Sequence, residues 1–319
     1  MSRLTRKTVV QAKLETAYGT DPGGWAGSDA VKIFNASVNL VQDEVSRDLL
    51  RPTLGASESL IAARRVEISF DVEVAGAGTS DAPPAWGKLL RACGFAETVV
   101  TGSHVEYTPI SDGFESLALR YVVDGVTHLA LGARGTATWT LDAYSRPIVH
   151  FEFTGLDGGS VAASASGSYA GWQTPNTVRP AANSSLLIGP SYVPASGTLS
   201  GGTAVNMREF RIDLNATVNH ILLLGSERAE ITDRAVQGSL SVELAAGDEV
   251  AWLNDIRDIA LTSLGFQHGS QAGNIVRLFA PAVQRRSPSV VDYDGTVLLG
   301  TELTLLPQSG DDELTVVTA

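Results

Sequence analysis

Residues 66–74 read VEISFDVEV, and the alternation has no break: Val66, Ile68, Phe70, Val72 and Val74 fall on one side, Glu67, Ser69, Asp71 and Glu73 on the other. A period of two is the signature of a β-strand with one buried and one wetted face. At a spacing of 170 residues, VQGSLSVEL (residues 236–244) repeats it, with Leu240, Val242 and Leu244 inward and Ser241 and Glu243 outward. Working outward, FNASVNLV (34–41) echoes LNATVNHI (214–221) at a spacing of 180, and Arg64 echoes Arg234. PPAWGKLLRACGF (83–95) is followed in the second half by VAWLNDIRDIALTSLGF (250–266), and DAYSRPIVHFEFTGL (142–156) by DYDGTVLLGTELTLL (292–306). Four blocks in one order imply a tandem duplication, with ten residues of the first copy absent from the second. Two copies at this period exclude a solenoid or propeller.

TATWTLDAY and IVHFEF also alternate, which indicates an antiparallel sheet wetted on one side. AWGKLLRACGF is different. Trp86, Leu89, Leu90 and Cys93 recur at helical spacing after Pro83-Pro84, and Gly94 can close the helix. In the second copy Trp252, Ile256, Ile259 and Ala260 form the matching stripe and Gly265 the matching stop. The fold class is therefore mainly β: two tandem β-sandwich or half-barrel domains, each with one short flanking helix. The expected limits are 1–156, with an N-terminal arm up to Asp29 and a long loop at 42–65, and 207–319. Between them, residues 157–206 are rich in Gly, Ser and Pro, a linker or docking arm in which Trp172 and SSLLIG favour docking.

Chemistry is sparse. The five histidines (His104, His128, His150, His220, His268) lack metal spacing, and Asp292–Gly295 opens like a calcium loop but lacks the later ligands, so a turn is expected. Phosphate-loop and nucleophile-elbow motifs are missing, and the carboxylates Asp71 and Glu73 suit a solvated strand face better than a glycosidase pair. Cys93 reads as a small core hydrophobe. No catalytic residue, cofactor or metal is expected. The single cysteine, the absence of an apolar leader and the absence of an 18-residue apolar run point to synthesis in a cytoplasm and no membrane span. A net charge of −12 disfavours a phosphate-binding surface while suiting one that must not stick to nucleic acid.

KLETAYGTDP, VSRDLLRPTLGASESLIAARRVEISFDVEVAGAG and APPAWGKLLRACGFAET together resemble the major tail tube proteins of long-tailed, non-contractile bacteriophages, most densely over residues 13–98. The resemblance implies a β-sandwich with a flanking helix whose rings stack into a hollow tube, in a virion tail. It also implies that the tandem version forms trimeric rings with pseudo-six-fold symmetry, alongside tape measure, tail terminator and distal tail proteins, with DNA passing unbound through the lumen. On that reading Glu67, Asp71, Glu73 and Glu243 face the channel. Arg47, Leu49, Leu50, Arg51, Leu54, Leu60, Ile61 and Trp172 contact neighbouring subunits or rings. Two rivals remain: a receptor- or glycan-binding surface protein using Trp25, Tyr169, Trp172 and Tyr192, and a terminator or connector that forms one ring and stops.

Overall fold

The computed structural model describes residues 2–319. It is mainly β, with large antiparallel sheets and two short α-helices among the described residues. Strand Thr8–Leu14 pairs with Leu117–Val123, which pairs in turn with Val126–Thr140, Ile148–Val161, Leu60–Glu73 and Ile33–Val45. Ala30–Val31, one residue before that last strand, pairs back onto Thr8–Leu14 and closes the circuit. The same circuit recurs through Ser185–Ile188, Leu261–His268, Val276–Tyr293, Thr296–Leu306, Gln237–Glu243 and Thr203–Asp213, which returns to Ser185–Ile188. The circuit turns one face of every strand inward. Val66, Ile68, Phe70, Val72 and Val74 are accordingly buried, as are Leu240 and Val242.

The register corrects the alignment of the opening blocks. Ser69 lies between Ser37 and Glu152, and Ser239 lies between Arg211 and Glu302. Ser37 therefore corresponds to Arg211, so NASVN falls on Glu209–Asp213, six residues short of NATVN. Each strand has a β-bulge just before this point, Phe34/Ser37 in the first and Met207/Glu209 in the second, one pairing step apart. Asn35 and Asn215 share a conformation (φ 50° and 48°), which asparagine tolerates, but not a place. Asn35 sits in the bulge; Asn215 turns the chain out of the circuit. From Ser37 to Ser69 the chain spends four residues more than from Arg211 to Ser239, not ten.

The helices are Gly87–Arg91 and Ala246–Arg257. Around the first, Trp86, Leu89, Leu90 and Cys93 are all buried, the Trp86 indole donates to Ala75 O at 2.8 Å, and Gly94 stands at φ 85°. Burial pushes the Cys93 thiol pKa well up, as befits a core side chain. The second helix departs from expectation. Gly265 lies inside a strand, opposite Leu187 and Phe279, and the helix ends at Ile259, φ 56°. There the Ile259 and Ala260 amides donate to Ile256 O and Asp255 O, a Schellman closure that satisfies the last carbonyls. Trp252 is buried and Leu253 packs on the core, whereas Ile259 is 64% exposed, so the expected stripe is only partly formed. A β-branched residue in the left-handed region is strained, so Ile259→Gly should stabilise the protein by about 1 kcal/mol, read from denaturant melts.

Residues 157–206 are ordered into the fold. Ser168 N donates to Gly27 O at 2.8 Å, Gln11 Nε2 to Ser166 O at 3.3 Å, and Trp172 Nε1 to Ala30 O at 3.3 Å. The SSLLIG strand belongs to the second circuit, whose strand material thus starts at Ser185 and not at residue 207. The two circuits meet at strand junctions. Thr138, Trp139 and Thr140 pair with Asp213, Ile212 and Arg211. Thr315–Thr318 fits between Val276–Phe279 and Val105–Tyr107. The backbones also touch at Gly78 and Gly273: the Gly78 amide donates to Gly273 O at 2.8 Å, and a Cβ on Gly273 (φ 82°) would lie 2.3 Å from the Gly78 carbonyl carbon.

Candidate functional site

The first strand junction makes one sheet of eight strands: Ile33–Val45, Leu60–Glu73, Ile148–Val161, Val126–Thr140, Thr203–Asp213, Gln237–Glu243, Thr296–Leu306 and Val276–Tyr293. Cross-strand partners share a face, so the pairs define a continuous outer surface. Serine and threonine share it with carboxylates and arginines.

Glu67, Asp71, Glu73 and Glu243 all lie on this surface, three on one strand. Each is engaged. Asp71 accepts from Asn35 Nδ2 at 2.7 Å and lies 2.5 Å from His150 Nδ1, while His150 Nε2 is 3.3 Å from Glu152. Glu73 stands between Arg146 at 3.1 Å and Lys32 at 3.6 Å. Glu67 pairs with Arg65 at 3.1 Å, and Glu243 accepts from Asn206 at 3.0 Å. In the second half Asp213 is 3.7 Å from Arg211, and Glu302, which corresponds to Glu152, lies opposite Arg286. The surface is a lattice of acids and bases, not the bare anionic wall that four isolated carboxylates suggest. Sequence reading missed His150, Glu152, Arg211, Arg286 and Glu302. The alternation of IVHFEF carried the signal for the first two and that of FRID for Arg211; Arg286 needed the register.

Each circuit also sends out an arm. The first continues the strands to Val45 and Leu60, and only residues 46–59 are irregular, narrower than the expected loop at 42–65. Arg47 and Glu58 bridge its neck at 2.5 Å. Beyond it Leu50 and Leu54 are fully exposed, and Leu49, Arg51, Leu60 and Ile61 are exposed as well. Trp172 is not with them: its ring packs on the core of its own chain.

The second arm is the hairpin Ala216–Leu223/Ser226–Arg234, and it folds back across the first circuit. Ala229 N donates to Tyr18 Oη at 2.6 Å, Arg134 Nη1 donates to Ala229 O at 3.1 Å, and Ala216 N donates to Thr136 Oγ1 at 3.1 Å. Arg234 anchors its base, donating to Ile110 O at 2.8 Å and pairing with Asp311 at 3.0 Å and with Glu313. Burial raises the pKa of the Tyr18 hydroxyl on this arm's dock, against the opposing pull of its hydrogen bond at Ala229 and of the nearby Arg134.

Of the four aromatic residues that could stack on sugar, Tyr169 is exposed, Trp172 packs on the core, and Trp25 and Tyr192 are occupied. Arg120 covers the Trp25 ring at 4.4 Å, and Tyr192 stacks on Phe279 at 5.6 Å. Asp292–Gly295 is a two-residue hairpin turn, with Asp294 and Gly295 both at positive φ and the Gly295 amide donating to Asp292 Oδ1 at 3.0 Å. Among the described residues no group of three or more His, Cys, Asp or Glu side chains could hold a metal ion, and no helix is long and apolar enough to cross a membrane.

No curated protein matches the chain. A family model described as phage tail tube protein matches residues 5–304, nearly the whole length, and the chain belongs to that family, as a structural, non-enzymatic component of the phage tail.

Proposed function

We propose that this chain is the tandem-domain form of the tail tube protein of a long-tailed, non-contractile phage, three copies closing each ring with pseudo-six-fold symmetry. The observation that carries the reading is the eight-stranded sheet. It consists of two four-stranded halves in matching register, joined edge to edge, so one chain supplies what two single-domain subunits would. On this reading the tube domains are two copies of one ancestor, the first over residues 1–156 and the second over residues 185–319, with 157–184 bracing them. The rings stack into a conduit whose other partners are the tape measure, tail terminator and distal tail proteins.

The polar face of the sheet lines the channel. DNA presents about one negative charge per 1.7 Å of duplex axis, so a wall on which Arg65, Arg146 and Arg211 stand beside carboxylates gives phosphate little open positive charge to grip. Substituting Glu67, Asp71, Glu73 and Glu243 together with lysine should leave tubes intact in electron micrographs. DNA ejection through them should fall by roughly ten-fold or more, because several uncompensated cations then face the phosphates. Normal infectivity of tubes carrying all four lysines contradicts the luminal placement.

A further inference from the structure

We infer that the junction between the two circuits within one chain is repeated between chains, so that Ser37, Val38 and Asn39 of one copy pair antiparallel with Val291, Val290 and Ser289 of the next. The inference rests on the ring reading above and deepens it by fixing which edges meet and in what register. Within the chain, Arg211, Ile212 and Asp213 pair with Thr140, Trp139 and Thr138. The register equates Arg211–Asp213 with Ser37–Asn39, through their shared partners Ser239 and Ser69. It likewise equates Thr138–Thr140 with Ser289–Val291, through their partners His150–Ile148 and Gly300–Leu298. Both outer stretches are paired on one side only among the described residues, Ser37–Asn39 to Leu60–Glu73 and Ser289–Val291 to Thr296–Leu306.

Burial gives an independent sign that these edges are incomplete. Trp139 is fully buried at the internal junction, and its counterpart Val290 is 72% exposed. Leu214 is fully buried and its counterpart Leu40 is 48% exposed; Ile231 on the second arm is 6% exposed and its counterpart Ile61 on the first arm is 47% exposed. Apolar side chains are retained at three matched places where a lone chain leaves them in water. A second copy of the same chain covers all three at once, because the surface they meet in the interior, the first circuit for one end and the second for the other, recurs on every copy. Pro288, just before the pairing stretch, carries no N–H and sits on the open edge, where proline is tolerated, so the ladder between copies starts at Ser289.

Disulfide trapping tests the register. Inside the chain Leu141 N donates to Phe210 O and Leu214 N to Ala137 O, which makes Asp213/Thr138 a non-hydrogen-bonded pair. Such pairs hold Cα atoms about 4.5 Å apart, within reach of a disulfide. Their counterparts between copies are Asn39 and Ser289, both exposed, and the one natural cysteine, Cys93, is buried and silent. Asn39→Cys and Ser289→Cys variants, mixed in equal amounts, assembled and oxidised, should give a dimer band that neither variant gives alone. The double variant should give covalent rings. Ser37→Cys mixed with Ser289→Cys, two residues out of register, should give far less. Tubes that form without the Asn39–Ser289 crosslink overturn the register while leaving the ring reading standing. Wild-type protein that never assembles overturns the ring reading itself.

Discussion

Trp139→Ala should cost about 4 kcal/mol of stability, measured by denaturant unfolding. Trp139 is completely buried, lies edge-on to Phe95 at 6.3 Å, and sits opposite both Val149 and Ile212, one from each circuit. Truncation removes the largest side chain at the seam and opens a cavity that two sheets cannot both collapse into. The indole Nε1 has no acceptor among the described residues. Trp139→Phe, which deletes that buried donor together with some apolar contact, should therefore cost much less, about 1 kcal/mol. Equal costs for the two variants would mean that the seam is not packed around this ring.

Arg234→Ala should cost about 3 kcal/mol by the same measurement, through a different cause. The guanidinium joins the base of the second arm to the Ile110 carbonyl of the first circuit and to Asp311 and Glu313 near the C-terminus. Glu313 is 6% exposed, so removing its partner leaves an uncompensated carboxylate out of water. Glu313→Gln added to Arg234→Ala should recover part of the loss, because the stranded charge is gone. A double variant no more stable than the single one would place the loss in packing instead. Arg64, which holds the matching position on the first arm, is exposed within a single chain. Arg64→Ala should be nearly neutral in the monomer, a contrast that separates burial at the seam from any intrinsic role of the arginine.

The strands were legible because their physics is local. VEISFDVEV alternates so cleanly that its inward and outward faces follow from the order of residues alone, and the four carboxylates placed on the outer face are there. The first helix was legible for the same reason: Trp86 through Gly94 carries both its buried stripe and its stop. What failed depended on partners far away in the chain. NASVN and NATVN are alike because asparagine suits a left-handed residue, yet a bulge and a turn ask for that equally, and only the cross-strand register tells them apart. Gly265 looked like a helix stop beside its Phe, but the second helix closes on Ile259, where hydrogen bonding outweighs the strain of a branched side chain. Docking of the Gly/Ser-rich stretch was favoured by Trp172 and SSLLIG, but the place it docks was hidden because its anchors, Ala30 and Gly27, lie more than a hundred residues away. The acid–base lattice on the polar face was partly hidden for the same reason, since Arg286 comes opposite Glu302 only through strand pairing, although Arg211 and Asp213 sit two residues apart on one strand.

Cryo-electron microscopy of tubes assembled from the purified protein tests the central claim most directly. The expected map has three chains per ring and a continuous barrel of twenty-four strands, eight from each chain. Its polar face, with Glu67, Asp71, Glu73 and Glu243, should line the channel, and Ser37–Asn39 should be zipped to Ser289–Val291 of the next copy. Six chains per ring, or a barrel whose polar face looks outward, would contradict it.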